Sequence, residues 1–359
     1  MTDNKSSRLY TSFAQKLMKR LGNDKVNVVF SPISVFLAMC LATAGAEGDT
    51  RREIMNALGG ELSDEDLIAS AKMIKSFEPE ASSANAICVN QSLADKIKEE
   101  YTNRVRVFLD SEFFSSNDLV HDVNAWVSEK TAGMIPEILN ESSKDALICL
   151  VNAVCFQGKW LNPYDDYDVE TEEFYNEDGS RSVVQMMYGG FDSSYFENDG
   201  VIGFIKPYEG ERFSFVAALP KKRGAAALDQ VIQSTDFSKL LSEVTYDEVH
   251  TAMPKFSFSY DKILNDVIEK MGARVLFTEQ ADFSGISDFP LMVSKIIHKA
   301  HIDVDQNGTK AAAATVIDVV AGCAPSEEYK EVVLNRPFVF AVVENETSIP
   351  VFEGVVRKL

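Results

Sequence analysis

Few residues of the 359-residue chain have a type and setting suited to catalysis. Cys323 is a candidate nucleophile, because a cysteine beside a general base can attack a carbonyl carbon. Its candidate bases are His250, His298 and His301. However, its neighbours are Gly322 and Ala324, and no basic residue stands beside it to stabilise a thiolate. The sequence argues against a cysteine hydrolase, and we predict that the protein is not an enzyme.

Metal, nucleotide and cofactor sites are not indicated either. His298 and His301 are three residues apart in an extended run, so their side chains point to opposite faces and cannot easily share a metal. The sequence has no glycine-rich phosphate-binding motif, no G-x-S-x-G nucleophile motif and no H-E-x-x-H zinc motif. We therefore predict no metal and no cofactor.

The charge of the chain narrows its partners. With 35 basic and 55 acidic residues, its formal net charge is −20. Such a charge opposes binding to nucleic acid and to anionic membranes. The stretch 64–77 contains only Lys72 and Lys75 among several acids, so heparin is not an expected partner.

The cysteines and the N-terminus favour the cytoplasm. Five scattered cysteines do not form a disulfide framework, and Cys40, Cys88 and Cys149 stand in apolar runs typical of core residues. The first residues lack the apolar segment of a secretory signal. We predict a cytoplasmic protein, with unconventional release as an alternative.

One uncharged stretch, residues 26–46, is just long enough to span a bilayer. It contains polar or helix-breaking residues, however, among them Asn27, Ser31 and Pro32. We predict a buried strand followed by a core helix.

The periodicity places helices mainly before strands, which favours an α+β protein. Residues 5–80, 122–139 and 263–271 are predicted to be mostly helical. Strands are predicted at 147–157, 212–219, 300–304, 338–343 and 351–355, with one more after Pro254. In the strand at 212–219, Phe213, Phe215, Ala217 and Leu219 are expected to share one face.

The segment 308–333 fits neither pattern. Its alanine run favours helix, whereas Thr315, Val316 and Ile317 favour strand. A loop of this length inside a compact domain usually means function or disorder, and its position between two apolar strands favours function. We therefore expect a functional loop.

Ten short motifs are distributed along the chain, at residues 27–34 (NVVFSPIS), 45–50 (GAEGDT), 124–127 (NAWV), 131–135 (TAGMI), 151–154 (VNAV), 156–160 (FQGKW), 281–285 (ADFSG), 293–300 (VSKIIHKA), 335–338 (NRPF) and 350–354 (PVFEG). They resemble those of the serpin family, in particular its intracellular, ovalbumin-like (clade B) members. They follow the family's order over about residues 8–357. The chain departs from the family at Met134, where lysine is usual, and at Gln306 and Lys310, where glutamate is usual.

The resemblance implies one domain over residues 1–359, with three β-sheets, eight or nine helices and an exposed reactive-centre loop at about 306–333. It also implies a monomeric protease inhibitor. A target protease would cleave the loop, which would then insert as a new strand into the main sheet and trap the covalently bound protease.

The resemblance implies a hinge at the start of this loop. It would consist of Gly308, Thr309, Lys310, Ala311, Ala312, Ala313, Ala314 and Thr315. Every second residue from Thr309 to Thr315 would face inward on insertion, and all four are small enough to enter without overpacking. Lys310 would fall on the outer face, where its ammonium stays in water.

Two further groups of residues carry over from the family. Ser31, Ser34, Asn152 and His298 would form the shutter, a polar cluster beneath the strands that must part. Trp160 would belong to the breach, where the loop enters the sheet.

The usual spacing from Gly308 places the cleaved bond. It predicts Gly322–Cys323, with Cys323–Ala324 as the alternative. Small residues precede this bond, so we expect the target to be a serine protease with a shallow, elastase-like pocket. The alternatives are inhibition of a cysteine protease and a non-inhibitory role as chaperone, carrier or storage protein.

Overall fold

The computed structural model of the protein describes residues 5–108, 111–140, 148–189, 193–246, 249–309 and 330–359. These residues form nine α-helices and eighteen strands in three sheets. The α+β class, the three sheets and the number of helices predicted from the sequence are confirmed.

The chain forms two compact units. The first is built from residues 1–21, 30–155 and 259–301, and the second from residues 22–29, 156–258 and 302–359. Each unit combines three separate segments of the chain. That the chain is a single domain stays a prediction.

Most helices belong to the first unit. They are α1 (Lys5–Leu21), α2 (Pro32–Thr43), α3 (Gly48–Leu58), α4 (Asp64–Lys75), α5 (Glu99–Asn103), α6 (Leu119–Lys130) and α9 (Asn265–Lys270), while α7 (Ala225–Ser234) and α8 (Phe237–Leu240) belong to the second. All twelve residues of α2 are buried, and Pro32 occupies its first turn, where a fixed φ suits a helix start. The buried strand and core helix predicted at 26–46 are confirmed as β1 (Val28–Phe30) and α2.

The length and hydropathy of the helices bear on membrane insertion. Within the described ranges, none of them is both long enough and apolar enough to cross a membrane.

A four-stranded part of one sheet organises the first unit. Its strands run in the order β3 (Glu112–Ser116), β2 (Ala81–Asn90), β4 (Ile148–Phe156) and β14 (Lys295–Asp305), and β13 (Phe256–Ile263) also pairs with β14. β4 and β14 are parallel, with Lys295 opposite Cys149 and Ala300 opposite Val154. The alternating burial predicted for 300–304 is confirmed in β14.

The second unit contains the other two sheets. One has the order β1, β18 (Ile349–Val356), β17 (Phe338–Glu344), β10 (Phe213–Pro220), β9 (Val201–Pro207), β8 (Ser194–Glu197) and β11 (Val244–Tyr246). The other has the order β16 (Lys330–Val333), β12 (Val249–Pro254), β7 (Arg181–Gly189) and β6 (Val169–Tyr175). Two short strands, β5 (Gly158–Lys159) and β15 (Gly308–Thr309), extend the sheet of β14 within this unit.

Three predicted elements differ in detail. Helix α6 ends at Lys130 rather than 139, because Ala132 and Gly133 adopt positive φ angles of 48° and 77° that an α-helix cannot continue. Helix α9 is shorter at both ends than predicted. Every residue of β10 is buried, so both faces of this strand are covered and not only the predicted face.

Candidate functional site

The four residues predicted to form the shutter lie together in the first unit. Ser31 and Ser34 stand at the start of α2, Asn152 lies in β4 and His298 lies in β14. All four are at most 1% exposed. Buried polar groups are costly unless they are hydrogen-bonded, so their partners decide whether this cluster is tolerated.

Asn152 is the centre of the cluster. Its Oδ1 accepts hydrogen bonds from Ser34 Oγ and from His298 Nδ1. Its Nδ2 donates to the carbonyl oxygen of Ser34 at 2.6 Å and to Asn85 Oδ1. The amide therefore uses both acceptor positions and both donors, which makes the cluster a fully connected network.

Asn85 was missed by the sequence reasoning. It lies in β2 and is 6% exposed. The sequence feature that could have identified Asn85 is its side-chain amide directly before the apolar run Ala86, Ile87, Cys88 and Val89. Such a residue needs a buried partner, but the sequence does not say which one.

His298 is neutral in this network. Burial lowers its pKa from 6.5 to about 3, because the charged imidazolium would lose its hydration. The backbone N–H of Ser31 donates to Nε2 at 3.2 Å, so the proton of the neutral ring is on Nδ1, which lies 3.2 Å from Asn152 Oδ1. Both nitrogens are thus engaged, and neither is available as a general base for an external substrate.

The second group of predicted residues lies in the second unit, around Trp160. This side chain is 1% exposed, and its Nε1 donates to the carbonyl oxygen of Asp305 at 2.9 Å. Its ring stacks on Tyr208 at a centroid distance of 4.6 Å and an interplanar angle of 13°. Its backbone N–H donates to the carbonyl oxygen of Asn307 at 2.9 Å. Trp160 therefore holds the turn that leads from β14 into the loop.

The turn itself is built on Asp305. Its Oδ1 accepts from the backbone N–H of Asn307 at 2.7 Å and of Gly308 at 3.2 Å. Gly308 has a φ of 156°, and a Cβ atom there would lie 2.0 Å from the carbonyl oxygen of Gly158. Only glycine fits this position, because the backbone of β5 occupies the space of any side chain.

Thr309 is the last residue described at the start of the predicted loop. It is 2% exposed, and its hydroxyl lies 2.7 Å from the hydroxyl of Tyr208. Burial is the main cause that raises the pKa of Tyr208, so both partners are neutral hydroxyls. Tyr208 was also missed from the sequence, where it is 101 residues from Thr309.

Several predicted site residues lie outside the described residues. They are Lys310, Ala311, Ala312, Ala313, Ala314 and Thr315 of the hinge and Gly322, Cys323 and Ala324 of the predicted cleavage site. The roles predicted for the shutter, the breach, the hinge and the cleaved bond stay predictions.

The remaining candidates for catalysis or metal binding do not converge. Cys40, Cys88 and Cys149 are free and buried, as predicted, and burial raises the pKa of Cys149 to about 11. His301 Nδ1 lies 2.9 Å from Ser259 Oγ. Across the described parts of the chain, no three His, Cys, Asp or Glu side chains form a group that could hold a metal ion.

Comparisons with known proteins agree with this architecture. The family model described as Serpin (serine protease inhibitor) matches residues 8–359. An uncharacterized serpin-like protein of Thermococcus kodakarensis is 31% identical over 96% of this chain and 83% of its own length. Alpha-1-antiproteinase S of Cavia porcellus is 28% identical over 92% of this chain and 84% of its own length.

Solved structures show the same fold. The thermophilic serpin tengpin in its native state has a TM-score of 0.91 and 32% identity, covering 100% of this chain and 95% of its own. Serpin48 of the insect Tenebrio molitor has a TM-score of 0.86 and 27% identity, covering 100% of this chain and 99% of its own.

Proposed function

Because the chain belongs to the serpin family, we propose that it inhibits a protease by covalent trapping and is not itself an enzyme. The nucleophile of the protease attacks the carbonyl carbon of Gly322 in the loop. The bond to the nitrogen of Cys323 breaks, the leaving amine takes a proton, and an acyl-enzyme remains. Insertion of the loop then carries the acylated protease away before water can hydrolyse the ester.

The observation that carries this proposal is the pairing of Gly308 and Thr309. They form β15, which pairs with β5 on one side and with the end of β14 on the other. Thr309, the first inward residue of the hinge, is already buried. The loop thus begins as a strand, and its insertion would extend ladders that exist before cleavage.

The registers of β15 with β14 and with β5 predict the same path of insertion. Thr309 lies opposite Val304 of β14 and Gly158 of β5. Continuing both ladders one residue at a time would place Ala313 opposite Ala300 and Val154, which are now partners of each other. Insertion beyond Ala312 would therefore have to separate β4 from β14.

The same register leads to the shutter. The next inward residue, Thr315, would come between His298 and Asn152, which are also ladder partners now. Their side-chain hydrogen bond would have to break at that step. The polar cluster would thus control how easily the sheet opens.

The sequence of the loop supports the choice of target. Val319, Val320 and Ala321 precede the predicted bond, and small residues suit a shallow, elastase-like pocket. We propose such a serine protease as the target and a monomer as the inhibitor.

The setting of Asn307 supports a cytoplasmic site of action. Asn307, Gly308 and Thr309 form a glycosylation sequon in the turn before β15. The backbone of Asn307 is held by Trp160 and Asp305, and Thr309 is buried. A glycan on Asn307 would stand where the hinge enters the sheet, so the proposed mechanism favours a compartment without glycosylation.

The proposal is tested by incubating the protein with elastase-like, trypsin-like and papain-like proteases. With the elastase-like protease, a denaturing gel should show a band at the sum of the two masses, and the released C-terminal fragment should begin at Cys323 or Ala324 by mass spectrometry. A protease whose catalytic serine is chemically blocked is the control and should give no band. Only cleaved or reversibly bound protein with every protease would contradict inhibition by trapping.

A further inference from the structure

The second unit contains a cavity that the proposed function does not use. Its volume is about 250 Å³. The residues that define its character are Tyr175, Lys222, Arg223, Leu228, Arg336 and Pro337. They come from the end of β6, from the segment between β10 and α7, from α7 itself and from the segment before β17.

Three cationic side chains line this cavity, although the chain carries a net charge of −20. They are Lys222, Arg223 and Arg336. The acidic residue of the lining is Glu177, whose Oε1 pairs with the guanidinium of Arg357 and is thereby neutralised. The cavity therefore presents a surplus of positive charge.

Arg336 has hydrogen-bonding capacity left over. Its Nη2 donates to the carbonyl oxygen of Pro220 at 2.9 Å. Its Nε is buried and has no hydrogen-bond partner among the described residues. A buried donor without a partner costs free energy unless another group accepts its hydrogen bond.

The electrostatics of Arg336 point the same way. Burial lowers its pKa, and the positive charge of Arg223 lowers it further. Both effects mean that the charged form of the guanidinium is disfavoured in this position. An anion between Arg223 and Arg336 would relieve the repulsion and replace the lost hydration.

Apart from Asn176, whose amide is hydrogen-bonded to Ser180, Ser182 and Leu359, the rest of the lining is apolar or aromatic. The guanidinium carbon of Arg223 lies 5.2 Å from the ring centroid of Tyr175, within the range of a cation–π contact. Leu228, Pro220 and Pro337 add apolar surface. A ligand that fills this space therefore needs an apolar body as well as an anionic group.

We propose that this cavity binds a small phosphate monoester with an aromatic or apolar body. A phosphate carries close to two negative charges at neutral pH and offers three acceptor oxygens, which match two guanidinium groups and an ammonium better than a carboxylate does. The body of the ligand lies against Tyr175 and Leu228. This site is independent of the loop and of protease inhibition.

The test is isothermal titration calorimetry of the full chain with phenyl phosphate at low salt. We expect saturable binding of phenyl phosphate, weaker binding of inorganic phosphate and of benzoate, and none of phenol. Arg223→Gln and Lys222→Gln should each weaken binding by about tenfold, because each removes a charge-assisted contact. Both positions are exposed, so the fold should survive these changes.

Two matched controls distinguish the loss of a contact in the cavity from the loss of one positive charge elsewhere on the protein. Lys221→Gln removes a charge next to Lys222, but Lys221 pairs with Glu197 at 2.6 Å and does not line the cavity. Arg52→Gln removes an exposed guanidinium that pairs with Asp49 at 2.6 Å within α3 and does not line the cavity. Both controls should bind phenyl phosphate like the parent. No saturable binding, equal losses in the controls, or binding of benzoate as tight as that of phenyl phosphate would overturn the proposal.

Discussion

Asn152 and His298 are direct partners in the ladder between β4 and β14, and they are also joined through their side chains, with 3.2 Å between Asn152 Oδ1 and His298 Nδ1. Backbone and side-chain bonds at this point must break together if a strand is to enter between β4 and β14. If the loop inserts in the register of Thr309, as we propose, it reaches this point. The pair therefore links the stability of the starting fold to the proposed inhibitory step.

The same substitution at two adjacent alanines of the hinge tests which residues face inward after insertion. After insertion in the proposed register, Ala313→Arg would have its guanidinium opposite Ala300 and Val154, both fully buried, where it would be unpaired at a cost of several kcal/mol. This variant should be cleaved but release active protease, with the number of inhibitor molecules consumed per protease raised at least about tenfold. Ala312→Arg is the matched control and should trap protease like the parent. Equal trapping by both variants would contradict the register of insertion.

Cleavage of the loop should stabilise the protein. Insertion adds a strand whose backbone hydrogen bonds contribute about 1 kcal/mol each, so a gain on the order of 10 kcal/mol is expected. For a chain of this length such a gain raises the melting temperature by roughly 10 °C or more. Calorimetry of intact and cleaved protein measures this directly. Equal melting temperatures would show that the loop does not insert, and a non-inhibitory role would then be favoured.

The buried His298 makes the stability depend on pH. Its pKa in the folded protein is lowered from 6.5 to about 3, so the unfolded chain binds one proton more in this window. The contribution of His298 is fully present above pH 6.5 and is lost as the pH falls toward 3, by up to about 1.4 kcal/mol per pH unit.

Urea unfolding between pH 4 and pH 7 measures this slope. His298→Gln should be less stable at neutral pH but should lose less stability on acidification. The slope of its unfolding free energy against pH should be smaller than that of the parent by the contribution of one proton, up to about 1.4 kcal/mol per pH unit. Ser34→Ala, which removes the hydrogen bond to Asn152 Oδ1 but no titratable group, is the control and should keep the slope of the parent. An unchanged slope in His298→Gln would contradict the assignment of a neutral buried imidazole.

A buried carboxyl in β18 should limit stability at neutral pH. Glu353 is 3% exposed, its Oε2 has no hydrogen-bond partner within the described ranges, and burial followed by the charge of Asp236 raises its pKa well above the usual value. A raised pKa of an acid gives stability that is present below the unfolded pKa and lost as the pH rises. Glu353→Met should therefore stabilise the protein by about 1–3 kcal/mol at pH 7 and by less at pH 4.

Glu344 provides the comparison for Glu353. It is 4% exposed, but its Oε2 accepts from Thr347 N at 2.8 Å and from Thr347 Oγ1 at 2.6 Å. Glu344→Met should destabilise the protein, because it leaves the N–H and hydroxyl of Thr347 without this acceptor. Both variants are measured by urea unfolding. If Glu344→Met and Glu353→Met both stabilise the protein, the gain comes from removing a buried carboxyl and not from the missing hydrogen-bond partner of Glu353.

Local features of the sequence determined much of this fold. The uncharged run before and within α2 predicted a buried strand and helix, and the alternation around Ile302 predicted a half-buried strand. Such patterns succeed because burial of one face repeats every second residue in a strand and every three to four in a helix. The end of α6 was not predictable in this way, because it depends on the positive φ angles of Ala132 and Gly133.

Only the tertiary structure decided which distant groups meet. No local pattern indicates that Thr309 meets Tyr208, that Asn152 meets Asn85, or that Arg336 lies beside the segment of Lys222 and Arg223. Each of these contacts depends on strand register and chain crossing over long separations. The pKa values of His298 and Glu353 depend in addition on the complete removal of water from around them. Periodicity records which face of an element is buried, but the partners on that face are set by the packing of the whole unit.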